Sequence, residues 1–165
     1  MAAYDPKEDC LVSVHEAAHS IACYAQKFQP IEAHIWLVNA GGWFTGGVVG
    51  CGVTYFTGAS ESDRYGLAVV CYAGAAGEAL LEHKVEGISM RRAMQNAMPG
   101  AGSDYAAAQA LYQDHPMRGL VELPMARQEA AQFVEDNWPE IEFIGRAIRI
   151  ERSVHFRHQR ERIPQ

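Results

Sequence analysis

The segment His15-Glu16-Ala17-Ala18-His19 limits the fold of this chain more than any other. Two imidazoles four residues apart can share one partner if the backbone is helical, because positions i and i+4 project from the same face; on a strand they cannot. The segment therefore asks for a helix, and for a second element that brings further groups across from elsewhere. The flanks encode that helix. Asp5 is an N-cap residue, Pro6 suits the first helical position and Glu8 completes an Asp-x-x-Glu capping box, which predicts a helix from Pro6 to Lys27. With 7 His in 165 residues, the five-residue pattern arises by accident in roughly 0.025 of chains of this composition. Val12, Ser13, Val14, Ser20 and Ile21 are uncharged, so three ionisable groups sit in a surrounding unlike a solvated helix face. The plainer reading, two core histidines satisfied by hydrogen bonds, leaves Glu16 without a task.

On a helix the two imidazoles can hold one Zn²⁺, and Glu16, rotated about 100° from His15, approaches from the side. Zinc draws the pKa of water towards ~7, and a neighbouring carboxylate can take the proton and pass it to a leaving amine. A catalytic zinc takes a third protein ligand and keeps one position open. The extended metzincin pattern would place a histidine at position 25, where Ala25 stands. Two carboxylates further along the chain remain as candidates, Glu78 and Asp104.

Beyond the first helix come two β-rich runs, Ile31–Val38 and Val48–Phe56, separated by glycine-heavy Asn39–Gly47, which predicts a strand pair or short sheet. No glycine is followed by Lys and then Ser or Thr, so the glycines do not build a Walker-type nucleotide loop. Ser60 caps a second helix over Glu61–His83. Its centre, Ala73-Gly74-Ala75-Ala76-Gly77, is small enough to let another helix approach closely. A loop with Pro99, Gly100 and Gly102 leads to a third helix from Ser103 to about Asp114. Glu122–Asn137 and Glu140–Arg152 read as a helical hairpin broken at Trp138-Pro139. The expected fold is mainly α (α+β), a single domain over residues 1–165, with a small β-hairpin, a C-terminal helical hairpin and a frayed tail over residues 153–165.

Three segments resemble the peptidase domain of FtsH-type ATP-dependent zinc metalloproteases. Val14–Ala22 is similar to that family's zinc helix, which reads His-Glu-Ala-Gly-His, with Ala18 here in place of the glycine. Tyr72–Leu80 resembles its Gly-Gly-Arg-x-Ala-Glu-Glu helix, although Ala75 and Ala79 stand where the family has Arg and its second Glu. Gly100-Ala101-Gly102-Ser103-Asp104 with Ala107 resembles a Gly-Ala-Ser-Asn-Asp element whose last residue is the third zinc ligand. The resemblance implies a zinc metallopeptidase (a metalloendopeptidase of HEXXH type) with His15, His19 and Asp104 on the metal. It makes Glu16 the catalytic base and Glu78 a carboxylate that supports a zinc-bound imidazole. It further implies a polypeptide substrate. The family's membrane span and ATPase module have no counterpart here, which leaves room for a separate ATPase or for self-association. Two rivals stand beside this reading: an inactive zinc-binding or protein-interaction module of the same fold, and a zinc hydrolase acting on bonds other than peptides.

Composition narrows the remaining classes. A formal net charge of −6 speaks against nucleic acid as a partner. Six arginines from Arg146 to Gln165, against Glu151 and Glu161, make the C-terminal end locally basic. No apolar run reaches the ~18–20 residues a membrane span needs. The acidic start at Asp5, Glu8 and Asp9 is unlike a secretory signal, so the expected location is cytoplasmic. Cys10, Cys23, Cys51 and Cys71 lie far apart in apolar neighbourhoods and read as buried thiols, not as a disulfide framework. His155 and His158 in the basic tail, and His34, His83 and His115 singly, lack strong ligand spacing.

Overall fold

The computed structural model describes residues 6–39 and 48–156. The glycine-rich stretch expected at Asn39–Gly47 and the tail beyond residue 156 thus lie almost wholly outside the described residues. The architecture is mainly helical with one small antiparallel sheet. Helix α1 (Pro6–Ala25) leads through a left-handed Lys27 into strand β1 (Gln29–Asn39), which pairs antiparallel with β2 (Val48–Thr57). A short 3₁₀ turn at Glu61–Asp63 opens α2 (Arg64–Glu86), followed by α3 (Met90–Ala97), α4 (Gly102–Ala110), α5 (Pro116–Asp136), α6 (Trp138–Glu151) and strand β3 (Ser153–His155). None of the helices in the described residues is long and apolar enough to cross a membrane.

Helix α1 is the centre of the molecule. Ser13 to Ser20 are all buried, because α2, α6 and the sheet each pack on a different side of it. The small residues of α2 do what their size allows. A Cβ placed on Gly77 would lie 3.0 Å from the Ala18 methyl, and one on Gly145 of α6 would lie 3.2 Å from Val14. These close approaches fix α1 between two neighbours at short interaxial distance. Val14, Ala17, Ala18, Ala22 and Cys23 of α1 share one apolar cluster with Val70, Ala73, Ala76 and Leu80 of α2 and Ile141, Ile144 and Ile148 of α6.

Several boundaries differ from the sequence reading, each for a local reason. The second helix starts at Arg64 instead of Glu61. The Ser60 amide and hydroxyl both donate to Asp63, at 2.8 and 2.7 Å, and tighten the first turn into 3₁₀ form. Helix α3 was not delimited from the sequence. It buries only Ala93 and Ala97, which gives a weak apolar period, although Ser89 accepts from the Arg92 amide as a cap. Helix α5 begins at Pro116, not near Glu122, and runs through Pro124, which lies on an exposed face of the helix. The last two helices follow one another as expected, yet α5 packs on α2 while α6 packs on α1.

The tail expected to fray from residue 153 is instead held at its start. Arg152 adopts a left-handed conformation that reverses the chain, and Ser153–His155 pairs with Glu32–His34 of β1. Phe156 is then 1% exposed against Tyr24. The sheet order is β2-β1-β3, which puts β2 at an edge among the described residues.

Candidate metal centre

Helical spacing brings His15 and His19 to the same face of α1, with ring centroids 4.6 Å apart and planes nearly perpendicular. Each ring is oriented from behind. His15 Nδ1 donates to Glu78 Oε1 at 2.6 Å, and His19 Nδ1 donates to the Val70 carbonyl at 2.7 Å, both acceptors lying on α2. With Nδ1 committed in both rings, both Nε2 atoms turn towards Asp104 near the start of α4. Asp104 Oδ2 lies 2.9 Å from His15 Nε2 and 3.5 Å from His19 Nε2. Gly74 is what lets α2 lie against the His15 ring, since a Cβ there would sit 2.4 Å from Nε2.

These donors fit a zinc ion. One ligand atom from each of His15, His19 and Asp104 falls within 4.8 Å of the others. Bonds of ~2.0–2.1 Å in tetrahedral geometry set ligand atoms ~3.3 Å apart, and the two imidazole–carboxylate distances, 2.9 and 3.5 Å, bracket that spacing. Two imidazoles backed by oxygen acceptors, with one carboxylate beside them, form the donor set that zinc prefers. As the side chains stand, burial opposes charge on His15, but its hydrogen bonds to Asp104 and Glu78 prevail and carry its pKa up to about 10. Burial likewise opposes charge on Asp104, and the bonds from His15 and His19 hold its carboxyl well below the usual range. A cation entering the group would compete with the His15 proton for the Nε2 lone pair.

Glu16 stands apart from this group although it adjoins His15 in sequence. It is 4% exposed and turns towards β2, where Thr54 Oγ1 lies 2.7 Å from its Oε2 and 3.2 Å from its backbone carbonyl. The other oxygen, Oε1, faces Gly52, where an added Cβ would intrude to 2.4 Å. Residues 52 and 54 share one face of β2, so alternate positions of a single strand make room for the carboxylate and orient it. His15, Glu16, Glu78 and Asp104 open together on a cleft of about 340 Å³, walled by Leu11, Val12, Gly52, Pro99, Gly100 and Ser103.

Every site residue singled out in the sequence therefore lies at this cleft or directly behind it. Sequence reasoning missed Thr54, Gly52 and the Val70 carbonyl. The period-2 pattern of β2 marks residues 52 and 54 as sharing a face, but which face meets α1 is decided by packing. The other histidines among the described residues lie elsewhere. His34 and His155 flank Glu32, each at 2.9 Å, and His83 Nδ1 donates to the Ile88 carbonyl just beyond the end of α2. Burial pushes the thiols of Cys23 and Cys71 up to about 12, which keeps both protonated and unsuited to act as nucleophiles. No protein-family model and no curated protein matches this chain.

Proposed function

We propose that this chain is a zinc-dependent metallopeptidase of the kind its resemblance to FtsH-type peptidase domains implies, acting in the cytoplasm on unfolded or extended polypeptide. The observation that carries this reading is the division of labour on α1. His15 and His19 converge with Asp104 on one side, while Glu16 is kept off that group and aimed into the same cleft by Thr54. A site built only to hold a structural ion has no use for a buried carboxylate so placed.

His15 Nε2, His19 Nε2 and Asp104 Oδ2 would hold the metal. Bound there, zinc supplies Lewis acidity, polarising a carbonyl oxygen and bringing the ionisation of water towards neutral pH. The remaining chemistry belongs to the chain. Glu78 and the Val70 carbonyl fix both rings so that Nε2, and not Nδ1, faces the cleft. Glu16 acts as general base and then general acid, accepting a proton from the attacking water and returning it to the departing amine nitrogen. Since Thr54 occupies Oε2, Oε1 is the atom that carries the proton. Leu11, Val12 and Pro99 supply apolar wall to the cleft and limit the water that reaches Glu16. The edge that β2 presents among the described residues supports an extended peptide as substrate, because a chain adding to it at Gly52 would run past Glu16.

The test compares zinc-loaded wild type with Glu16→Gln on casein, an unstructured protein, with metal per chain measured on both. Wild type should cleave, and the variant should keep its zinc while losing about 10²–10⁴-fold in rate. Equal rates would refute the assignment of Glu16. Zinc retained with no cleavage by wild type would favour the rival reading of an inactive zinc-binding module.

A further inference from the structure

The cleft beside the candidate metal centre has a shape and a charge that peptide hydrolysis does not by itself require. Glu8, Leu11, Val12 and His15 of α1 all line it. Seven residues of helix bring Glu8 back to the face of His15, about 10 Å away along the axis. The floor of the cleft thus runs from the metal group, across two apolar side chains, to a carboxylate at its far end. Glu8, Glu16, Glu78 and Asp104 all belong to the lining, and among the described residues no Lys or Arg joins them. The nearest cation in sequence, Lys7, is engaged by Glu82 and Glu86 of α2, at 3.3 and 2.6 Å.

We propose that this cleft selects a basic substrate side chain, lysine or arginine, beside the bond that is cut, and that Glu8 is the residue that reads it. The proposal rests on the peptidase reading above and adds the class of substrate to it. A lysine or arginine side chain reaches ~6–7 Å from its Cα, and its own backbone spans a further ~3.5 Å. Together they cover the length of α1 between His15 and Glu8. Such a side chain needs apolar surface for its stem and a carboxylate, near water, for its head. Helix α1 offers them in that order, Leu11 and Val12 first and Glu8 beyond.

The charge of the cleft points the same way. A single divalent ion at the centre would still leave the four carboxylates of the lining in excess. An acidic substrate side chain laid along α1 would therefore be repelled, and a basic one drawn in. Glu8 also sits in the first turn of α1, where the helix dipole favours a carboxylate. That contribution steadies the helix but does not distinguish one peptide from another, so the two roles separate in a measurement of selectivity.

Two dye-labelled peptides, identical except for one central Lys or Glu, test this by fluorescence anisotropy on the zinc-loaded Glu16→Gln protein, where binding is read without cleavage. The lysine peptide should bind at least about tenfold more tightly, and the ratio should shrink as NaCl rises from about 50 mM to about 500 mM. Adding Glu8→Arg should abolish the ratio, Glu8→Gln should cut it at least about threefold, and Glu8→Asp should keep most of it. With wild type, cuts in casein mapped by mass spectrometry should fall beside Lys or Arg. Equal affinity for the two peptides would overturn the proposal, as would a cleft that takes neither, or a ratio that Glu8→Arg leaves intact. Casein cuts indifferent to basic neighbours would overturn it too while leaving the peptidase reading standing. Charge-selective binding by a protein that cleaves nothing would do the reverse, removing the peptidase reading and keeping Glu8 as the selector of a bound basic peptide.

Discussion

Helices α1 and α5 both depart from the rule that a surface helix buries its apolar side and shows its polar one, and they depart in opposite directions. In α1, Asp9, His15, Glu16 and His19 are buried among apolar neighbours. In α5, a stripe of four large apolar side chains, Met117, Leu120, Val121 and Met125, points to solvent on a helix whose opposite face is well seated. Buried polar groups are tolerated only when partnered, and every one in the α1 site has a partner drawn from another element: Glu78, Val70, Asp104 or Thr54. The exposed apolar groups of α5 find no such compensation within the described residues. One departure is resolved inside the fold; the other stays at the surface among the described residues.

The two regions should therefore respond to substitution very differently. The largest effect is expected at Gly74, where an alanine Cβ would meet the His15 ring at 2.4–2.6 Å. Retreat of helix α2 would open the close packing against α1, where a Cβ added to Gly77 would lie only 3.0 Å from the Ala18 methyl. Gly74→Ala should abolish stoichiometric zinc binding and cost about 1–3 kcal/mol of stability, read by elemental analysis and thermal melting. Next comes Glu78→Ala, which leaves His15 Nδ1 without its acceptor and should weaken zinc affinity about 10–100-fold in competition with a chelating dye. Thr54→Val preserves shape and removes the hydroxyl that holds Glu16. About tenfold should be lost from kcat on casein with zinc content unchanged, and Thr54→Ser should recover most of it. If valine and serine behaved alike, Thr54 would be packing and nothing more. The smallest effect belongs to α5, where Met125→Gln should alter stability by no more than about 0.5 kcal/mol. A large loss there would mean that the stripe supports the monomer, and the contrast between the helices would collapse.

The same contrast explains what could be read from the chain beforehand. Helix α1 was legible because its signals are local: a cap, a proline and two histidines one turn apart. Asp104 and Glu78 belong to the site through contacts spanning 89 and 63 residues. No local period encodes such distances, and by spacing alone the two carboxylates were equal candidates. It was resemblance that separated their roles. Thr54 was invisible because a strand's pattern does not say which helix its face will meet. Helix α3 escaped because two buried alanines make a faint period. The start of β3 was taken for frayed tail because arginines surround it, whereas the cross-strand pairing of Glu32 with His155 gives those residues a place. Helix α5 was placed too far along the chain because Pro124 reads as a boundary when only sequence neighbours are considered.

The pairing of β3 with β1, reinforced by an ion pair between Arg152 and the buried Asp9, has a consequence in time. Helix α1 emerges first during synthesis, yet two of its sides are covered by α6 and by the sheet that β3 completes. A nascent chain that has not yet released Trp138–Phe156 lacks the α6 side of that packing, although Thr54, Val70, Glu78 and Asp104, which touch the two histidines and Glu16, are already made. The helix that is written first is therefore among the last to be packed on all sides, because part of its core waits for the far end of the chain.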